Sequence, residues 1–209
     1  MIRLDQVVVR AHADDRRLSE IDHLDIGVGD RICVTGESGS GKSLLLGVIA
    51  DRLPGTVVRT GVRRCTFARD SVAIVPQRGT DALHPLLPVE RQLQTVTGSE
   101  RGRVRDVLGR MGLAPRLHRR RPSELSGGQA QRAALALAIL SNAPIVVADE
   151  PTSALDAETR DELLALLAHG LEPSTALVIA THDERVVASL GGRRIDVAGG
   201  VARERMPAS

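Results

Sequence analysis

An apolar run over residues 31–35 ends directly in Gly36, Glu37, Ser38, Gly39, Ser40, Gly41, Lys42 and Ser43, and helical spacing begins at Lys42 and continues to residue 53. Few octets constrain a fold as tightly. The pattern Gly, four residues, Gly-Lys-Ser between a strand and a helix is that of a phosphate loop. A triphosphate is a large anion, and backbone N–H groups wrap it only where side chains stay away, as at Gly36, Gly39 and Gly41. The start of the helix adds its dipole. Lys42 has the reach and charge for the β and γ phosphates, and the Ser43 hydroxyl suits Mg²⁺. A flexible Gly/Ser turn is the bland alternative, and the strand before and helix after speak against it. Strand, glycine loop and helix form the first unit of a parallel α/β sheet.

The rest of the chain extends that pattern. Strands are expected over 2–9, 24–26, 72–75, 145–148, 176–180 and 193–197. Helices are expected over 89–97, 103–111, 115–119, 131–140, 157–169 and 184–190, and the tail over 202–209 reads as frayed. A length of 209 residues favours one domain. Its sheet-containing core is expected over 1–80 and 141–209, with a helical subdomain inserted over 81–140. The formal net charge is +2, with Arg dominating the basic residues, and does not point to nucleic acid. Cys33 and Cys65 lack metal-ligand spacing and fit reduced thiols of a cytosolic protein. The N-terminus alternates like a strand rather than a secretory signal. No apolar run nears the roughly 18–20 residues of a membrane span, so a membrane role is expected to be peripheral.

Two further motifs bear on chemistry. Residues 145–148 are continuously apolar and lead into Asp149 and Glu150. The carboxyl end of a buried parallel strand is where ligands sit in α/β sheets. An Asp there can hold Mg²⁺, and a Glu beside it can orient the attacking water. Alone the pair is commonplace, and its meaning comes from sharing a chain with the phosphate loop. Leu125, Ser126, Gly127, Gly128 and Gln129 precede an Ala-rich helix. They read either as a plain N-cap and glycine turn or as a second anion-binding helix start.

With these motifs in order, the chain resembles ATP-binding-cassette (ABC) ATPases from end to end. Leu125 to Gln129 is that family's signature. The resemblance implies a P-loop fold with a mixed sheet, an inserted helical subdomain and a small N-terminal antiparallel β subdomain. It implies a head-to-tail dimer in which the signature of one subunit closes on the ATP of the other. Gln77 matches the family's loop glutamine, a contact for Mg²⁺ and the attacking water. Ser153, Ala154, Leu155 and Asp156 match its dimer-contact loop. His182 matches the histidine that holds the γ-phosphate and water. The family usually stacks adenine on an aromatic residue, but this chain has no Trp, no Tyr and one Phe, Phe67. His12 stands near the expected position, where it either stacks on the base or is an exposed loop residue.

Local wording around Gln77, around residues 81–92 and over 148–156 resembles the oligopeptide, dipeptide and nickel importer ATPases, and most of all the nickel type. That likeness implies transmembrane permease subunits, an extracytoplasmic binding protein and a place on the inner face of the cell membrane. Two departures weigh against it. The cysteine-bearing C-terminal extension common in peptide importers is missing, and the helix after the signature lacks the usual second arginine. The alternative is a non-transport ABC ATPase in DNA repair, translation or phosphonate breakdown. The long coiled coil, zinc cysteines and tandem cassettes typical of the first two are not in this sequence.

Overall fold

Apolar runs in this sequence become the buried middle of a sheet. The computed structural model describes residues 1–67, 71–153 and 157–205. In chain order the elements are β1 (Ile2–Ala11), β2 (Arg17–Ile26), β3 (Arg31–Thr35), α1 (Lys42–Ala50), β4 (Val57–Cys65), β5 (Val72–Val75), α2 (Val89–Thr97), α3 (Arg101–Arg110), α4 (Gly127–Leu140), β6 (Ile145–Asp149), α5 (Ala157–Gly170), β7 (Ala176–Thr181), α6 (Glu184–Leu190), β8 (Arg193–Ala198) and β9 (Val201–Arg205). Single 3-10 turns occupy Gly79–Ala82, Pro115–Leu117 and Pro122–Glu124.

The chain forms two compact units. The first comprises Met1–Val72, Pro144–Asp149 and Ser174–Ser209, and the second Ala73–Ala143 and Glu150–Pro173. This division differs from the expected one: residues 73–80 and 150–173 group with the helices rather than with the sheet.

In the first unit the strand order runs β4-β1-β2-β9-β8-β3-β7-β6. Strands β6, β7, β3 and β8 are parallel, whereas β8–β9, β1–β2 and β1–β4 are antiparallel. The sheet is therefore mixed, with an antiparallel N-terminal portion. β7 is buried at every position and β6 at all but the last, as expected for strands covered on both faces. Ile32, Val34, Leu45, Ile49, Val147 and Val178 belong to one apolar cluster that joins α1 to the sheet.

Several elements depart from expectation for identifiable reasons. The strand expected over 24–26 is the end of the ten-residue β2. Its charged outer residues pair across to β1, with Asp25 2.7 Å from Arg3 and His23 2.7 Å from Asp5, so polar letters hide a strand. β4 carries no apolar strand pattern, because its run VVRTGVRRC is arginine-rich and lies at the sheet edge. Residues 202–205 of the expected tail belong to β9 (Val201–Arg205), held to β8 by Arg193–Glu204 at 2.7 Å and Arg205–Asp196 at 2.7 Å. α1 stops at Ala50 rather than residue 53. Asp51 closes it with a left-handed φ of 55°, and the Arg63 guanidinium donates to the Ile49 carbonyl at 2.7 Å. That places a cation on the negative helix end. Over 115–119 the expected helix is a single 3-10 turn.

In the second unit α2, α3 and α4 enclose Leu93, Val104, Leu108 and Leu135. Within it Glu90 is only 4 % exposed. Its carboxylate accepts from Arg105 at 2.8 Å and from Arg101. Burial pushes the carboxyl up, but the bonds from Arg101 and Arg105 outweigh it and hold the group below its ordinary value. The two arginines keep about half their side-chain surface in water, whereas Glu90 does not. An asymmetry follows. Glu90→Gln leaves two solvated cations and is expected to lose about 1 kcal/mol. Arg101→Ala/Arg105→Ala strands a buried carboxylate and is expected to lose about 3 kcal/mol. Urea unfolding followed by circular dichroism checks this, since the chain has no Trp or Tyr. Equal losses would show that the carboxylate is not the buried partner. With a depressed folded value, the triad's contribution is complete above the unfolded carboxylate range and is lost as pH falls through the folded one.

Candidate functional site

The central parallel strands aim three motifs at one edge. β7 lies between β3 and β6, with Thr35 opposite Thr181 and Asp149 opposite Ala180. The glycine loop leaves the carboxyl end of β3, Asp149 ends β6, and His182 follows β7. The strand register thus gathers the loop, Asp149 and His182 at the carboxyl edge of the first unit. This is the edge where α/β sheets take ligands.

The loop is shaped for a bare backbone. Gly36 has φ 152°, and a Cβ there would lie 2.2 Å from the Val197 carbonyl oxygen, so a side chain cannot be fitted. Gly39 and Gly41 also take positive φ, and Gly41 stands at the N-cap of α1 with no side chain capping the helix amides. Lys42 is 6 % exposed, and its Nζ donates to the Gly36 carbonyl at 2.8 Å and to the Glu37 carbonyl at 3.0 Å. Its charge is thereby held inside the loop. Ser43 is exposed at the first turn of α1, and Glu37 and Ser38 are exposed on the loop. Glycine amides, a helix N-terminus and an enclosed ammonium together form a cradle for a polyphosphate.

The flanking residues add acid, hydroxyl and imidazole. Asp149 is partly buried and His182 exposed. Thr181 Oγ1 accepts from the Asp183 N–H at 3.0 Å and fixes the turn just after His182. Sequence reasoning missed a polar network under the loop. Thr35 Oγ1 bonds Asp196, and Arg194 reaches Thr35 Oγ1 at 3.1 Å, Asp196 at 2.9 Å and Glu184 at 2.7 Å. Burial works against ionisation of Asp196, but its bonds from Thr35, Arg194 and Arg205 keep it below the usual carboxylate range. No motif marks these residues, because Thr35 lies some 160 positions from Arg194 and Asp196.

Glu150 follows Asp149 with φ 43°, a left-handed conformation rarely taken by a residue with a long side chain. Its carbonyl accepts from the Ser153 N–H at 3.1 Å. Such strain, about 1–3 kcal/mol, clusters at functional sites. Ser153 is exposed. Ala154, Leu155 and Asp156, the rest of the expected dimer-contact loop, lie outside the described residues.

In the second unit Ser126 caps α4. Its Oγ accepts from the Gln129 N–H at 3.3 Å, and Gln129 Oε1 accepts from the Ser126 N–H at 3.0 Å. This reciprocal box starts the helix at Gly127, four residues before the expected start. Leu125 is partly buried, whereas Ser126 and Gly127 face solvent. Gln77 is exposed beyond β5. The residue before it is pinned to α4, because Gln131 donates to the Pro76 carbonyl at 3.2 Å. A Cβ on Gly79 would meet the Ala130 backbone at 2.4 Å. Gln77, Gly79, Gly127, Gly128 and Pro151 line one pocket of about 180 Å³. The structure thus brings Gln77 and the start of the signature helix together, a juxtaposition no local pattern announces.

His12 is exposed in the turn after β1, its backbone N–H donating to the Thr56 carbonyl at 2.8 Å. Phe67 packs against the core.

A glycine cradle ahead of α1, with an acid and an imidazole at the ends of neighbouring parallel strands, defines a P-loop nucleotide hydrolase. The chain belongs to the ABC transporter family, whose model, described as "ABC transporter", matches residues 20–153. It has the ABC ATPase fold, and ATP binding and hydrolysis are the general activity of that family. The macrolide export ATP-binding/permease protein MacB 1/2 of Paracoccus denitrificans is 35 % identical over 88 % of this chain and 30 % of its own length. Against such relatives the chain spans under a third of their length. The ABC transporter ATP-binding protein YtrE of Bacillus subtilis is 34 % identical over 86 % of this chain and 84 % of its own. Among solved structures, the ATP-binding cassette MJ0796, a dimer bound to ADP and Pi after hydrolysis, aligns with TM-score 0.81 and 28 % identity over 98 % of both chains.

Lys42 is the only lysine in the 209 residues. An amine-acylating reagent should therefore mark only Lys42 and the N-terminal amine. ATP is expected to protect Lys42 and leave the N-terminus unprotected, as peptide mass spectrometry would read. Undiminished labelling of Lys42 under saturating ATP would place the nucleotide elsewhere.

Proposed function

We propose that the chain is the ATP-hydrolysing subunit of a membrane transporter, lying peripherally under permease partners and working as a head-to-tail dimer. The observation that carries this reading is the pairing of a complete phosphate cradle with an exposed, serine-capped signature helix. The cradle binds the triphosphate through the amides of residues 36–43 and through Lys42. Ser126, Gly127 and Gly128 of a second cassette complete the γ-phosphate shell. Glu150 aligns and polarises the attacking water, and His182 and Gln77 hold it and the γ-phosphate in line. Catalysis is then mostly positioning and charge stabilisation. Mg²⁺ fits the donors of the first unit, since the exposed Ser43 hydroxyl and the Asp149 carboxylate are hard oxygen ligands, and the family resemblance assigns Gln77 to the same ion. When bound, it neutralises charge on the β and γ phosphates. Ser153, Ala154, Leu155 and Asp156 are assigned to the dimer contact. The adenine end is assigned to His12, whose side chain is exposed.

The relatives favour export over import. MacB carries an export name and YtrE a general transporter name, whereas the importer reading rests on local wording near Gln77 and over 148–156. We therefore set an export-type assembly first, without a substrate-binding protein, and assign no peptide or nickel cargo. Among the described residues no helix is long and apolar enough to cross a membrane, so the permease is supplied by another segment or chain. Purification from native membranes tests this. Recovery with a polytopic permease is the expected result. Recovery with ribosomes, DNA or soluble lyase subunits would overturn it, and recovery with a periplasmic-type binding protein would restore the importer reading.

A further inference from the structure

The near-neutral total charge conceals a local excess. Residues 101–121 contain eight arginines and one acidic residue, Asp106, in a chain whose formal net charge is +2. The remainder of the chain is therefore net acidic, and the positive charge is concentrated on one part of the second unit. Not all of these arginines are spent. Arg101 and Arg105 hold Glu90, Arg110 pairs with Asp106 at 3.1 Å, and Arg120 pairs with Glu124 at 3.2 Å. Arg116 and Arg119 are exposed and have no ion-pair partner among the described residues.

These two flank a concavity of about 560 Å³, whose lining also includes Arg105, Gly109, Pro115 and His118. Its walls are held firmly. Glu90 and Val89 donate their backbone N–H groups to the carbonyls of His118 at 2.8 Å and Arg120 at 2.9 Å. The buried His118 ring places Nε2 2.9 Å from the Leu113 carbonyl. Gly109 adds a second kind of observation. A glycine inside a helix loses about 0.5–1 kcal/mol relative to Ala, normally offset by close packing. At Gly109, and at Gly102 on the same helix, nothing lies within 4 Å of where a side chain would begin. No packing among the described residues accounts for either glycine, and at Gly109 the helix backbone lies open at the concavity.

We propose that this arginine face docks on anionic phospholipid headgroups of the membrane beneath which the transporter works. Guanidinium forks match phosphate oxygens in two-point bonds. Arginine charge on α3 and on the segment after it, where Arg116 and Arg119 are unpaired among the described residues, suits an extended anionic surface better than one small ion. The proposal rests on the reading of the chain as a peripheral membrane ATPase, but its test does not use ATP turnover.

The full chain is mixed with vesicles of phosphatidylcholine alone, or with about a third phosphatidylglycerol, and co-sedimentation is measured without nucleotide. Each unpaired basic residue near such a surface contributes about 1 kcal/mol, or roughly fivefold. Arg116→Ser/Arg119→Ser is therefore expected to weaken binding to the anionic vesicles about twentyfold, with unchanged thermal unfolding. Arg64→Ser/Arg203→Ser removes the same charge from exposed sites on β4 and β9 and is expected to bind nearly as wild type. Binding should fall steeply with salt. Equal binding to neutral vesicles would overturn the proposal, and so would equal loss in both double variants. Displacement of the vesicles by millimolar pyrophosphate, or by a short polyglutamate, would instead assign the face to a soluble phosphate ligand or an acidic protein segment. If ATPase activity is intact while anionic vesicles are ignored, this proposal fails and the ATPase reading stands.

Discussion

Glu150→Gln is expected to lower steady-state ATP hydrolysis about 10²–10⁴-fold, the range typical of a positioned general base. ATP affinity should stay close to that of the parent. The exchange keeps the shape of the side chain and removes only the charge that polarises water. It should also be tolerated by the backbone. Glu150 has φ 43°, and Gln6 in the same chain takes φ 47°, so glutamine is at home in that conformation. With binding intact and turnover blocked, ATP should trap a closed dimer that elutes earlier in gel filtration. Turnover near the parent rate would remove Glu150 from the base role. A collapse of turnover with no ATP-dependent dimer would separate the chemistry from the proposed clamp.

The second large effect concerns Lys42. Lys42→Ala is expected to weaken ATP binding about a hundredfold. That corresponds to one or two charge-assisted bonds of about 1.5–3 kcal/mol. The loop itself should survive. The Gly36 and Glu37 carbonyls that now accept from Lys42 Nζ belong to incompletely buried residues, so water can replace the ammonium. Titration calorimetry with ATP under conditions of no turnover reads the affinity directly. An unchanged Kd would refute the phosphate-loop assignment. The two variants therefore fail differently, one in affinity and the other in turnover.

Much of the candidate site was legible because it is written locally. Gly36 to Ser43 are eight consecutive positions, and each residue type suits a backbone geometry or a charge that a neighbour in sequence completes. β3, β5, α2 and α6 fell on their expected residues because apolar runs and helical spacing also act over short distances. Less legible were β2, β4 and β9. Their letters are polar because their outer faces are tied by pairs such as Arg3–Asp25 and Arg193–Glu204, whose partners lie in other strands. The network of Thr35, Arg194 and Asp196 was hidden for the same reason. The total charge of +2 averages away the eight arginines of residues 101–121, whose clustering is visible only segment by segment.

The sequence by itself determined the phosphate cradle, the acid pair at the end of a buried strand, the capped signature helix and, through their order, the family. Tertiary structure decided what those motifs face. The order β3-β7-β6 gathers the loop, Asp149 and His182 on one edge. The fit of Gly79 against α4 joins Gln77 to the start of the signature helix. The physical reason is range. Propensity, capping and glycine geometry are settled among near neighbours in the chain, whereas strand pairing and helix packing are settled by residues that meet only once the chain has folded.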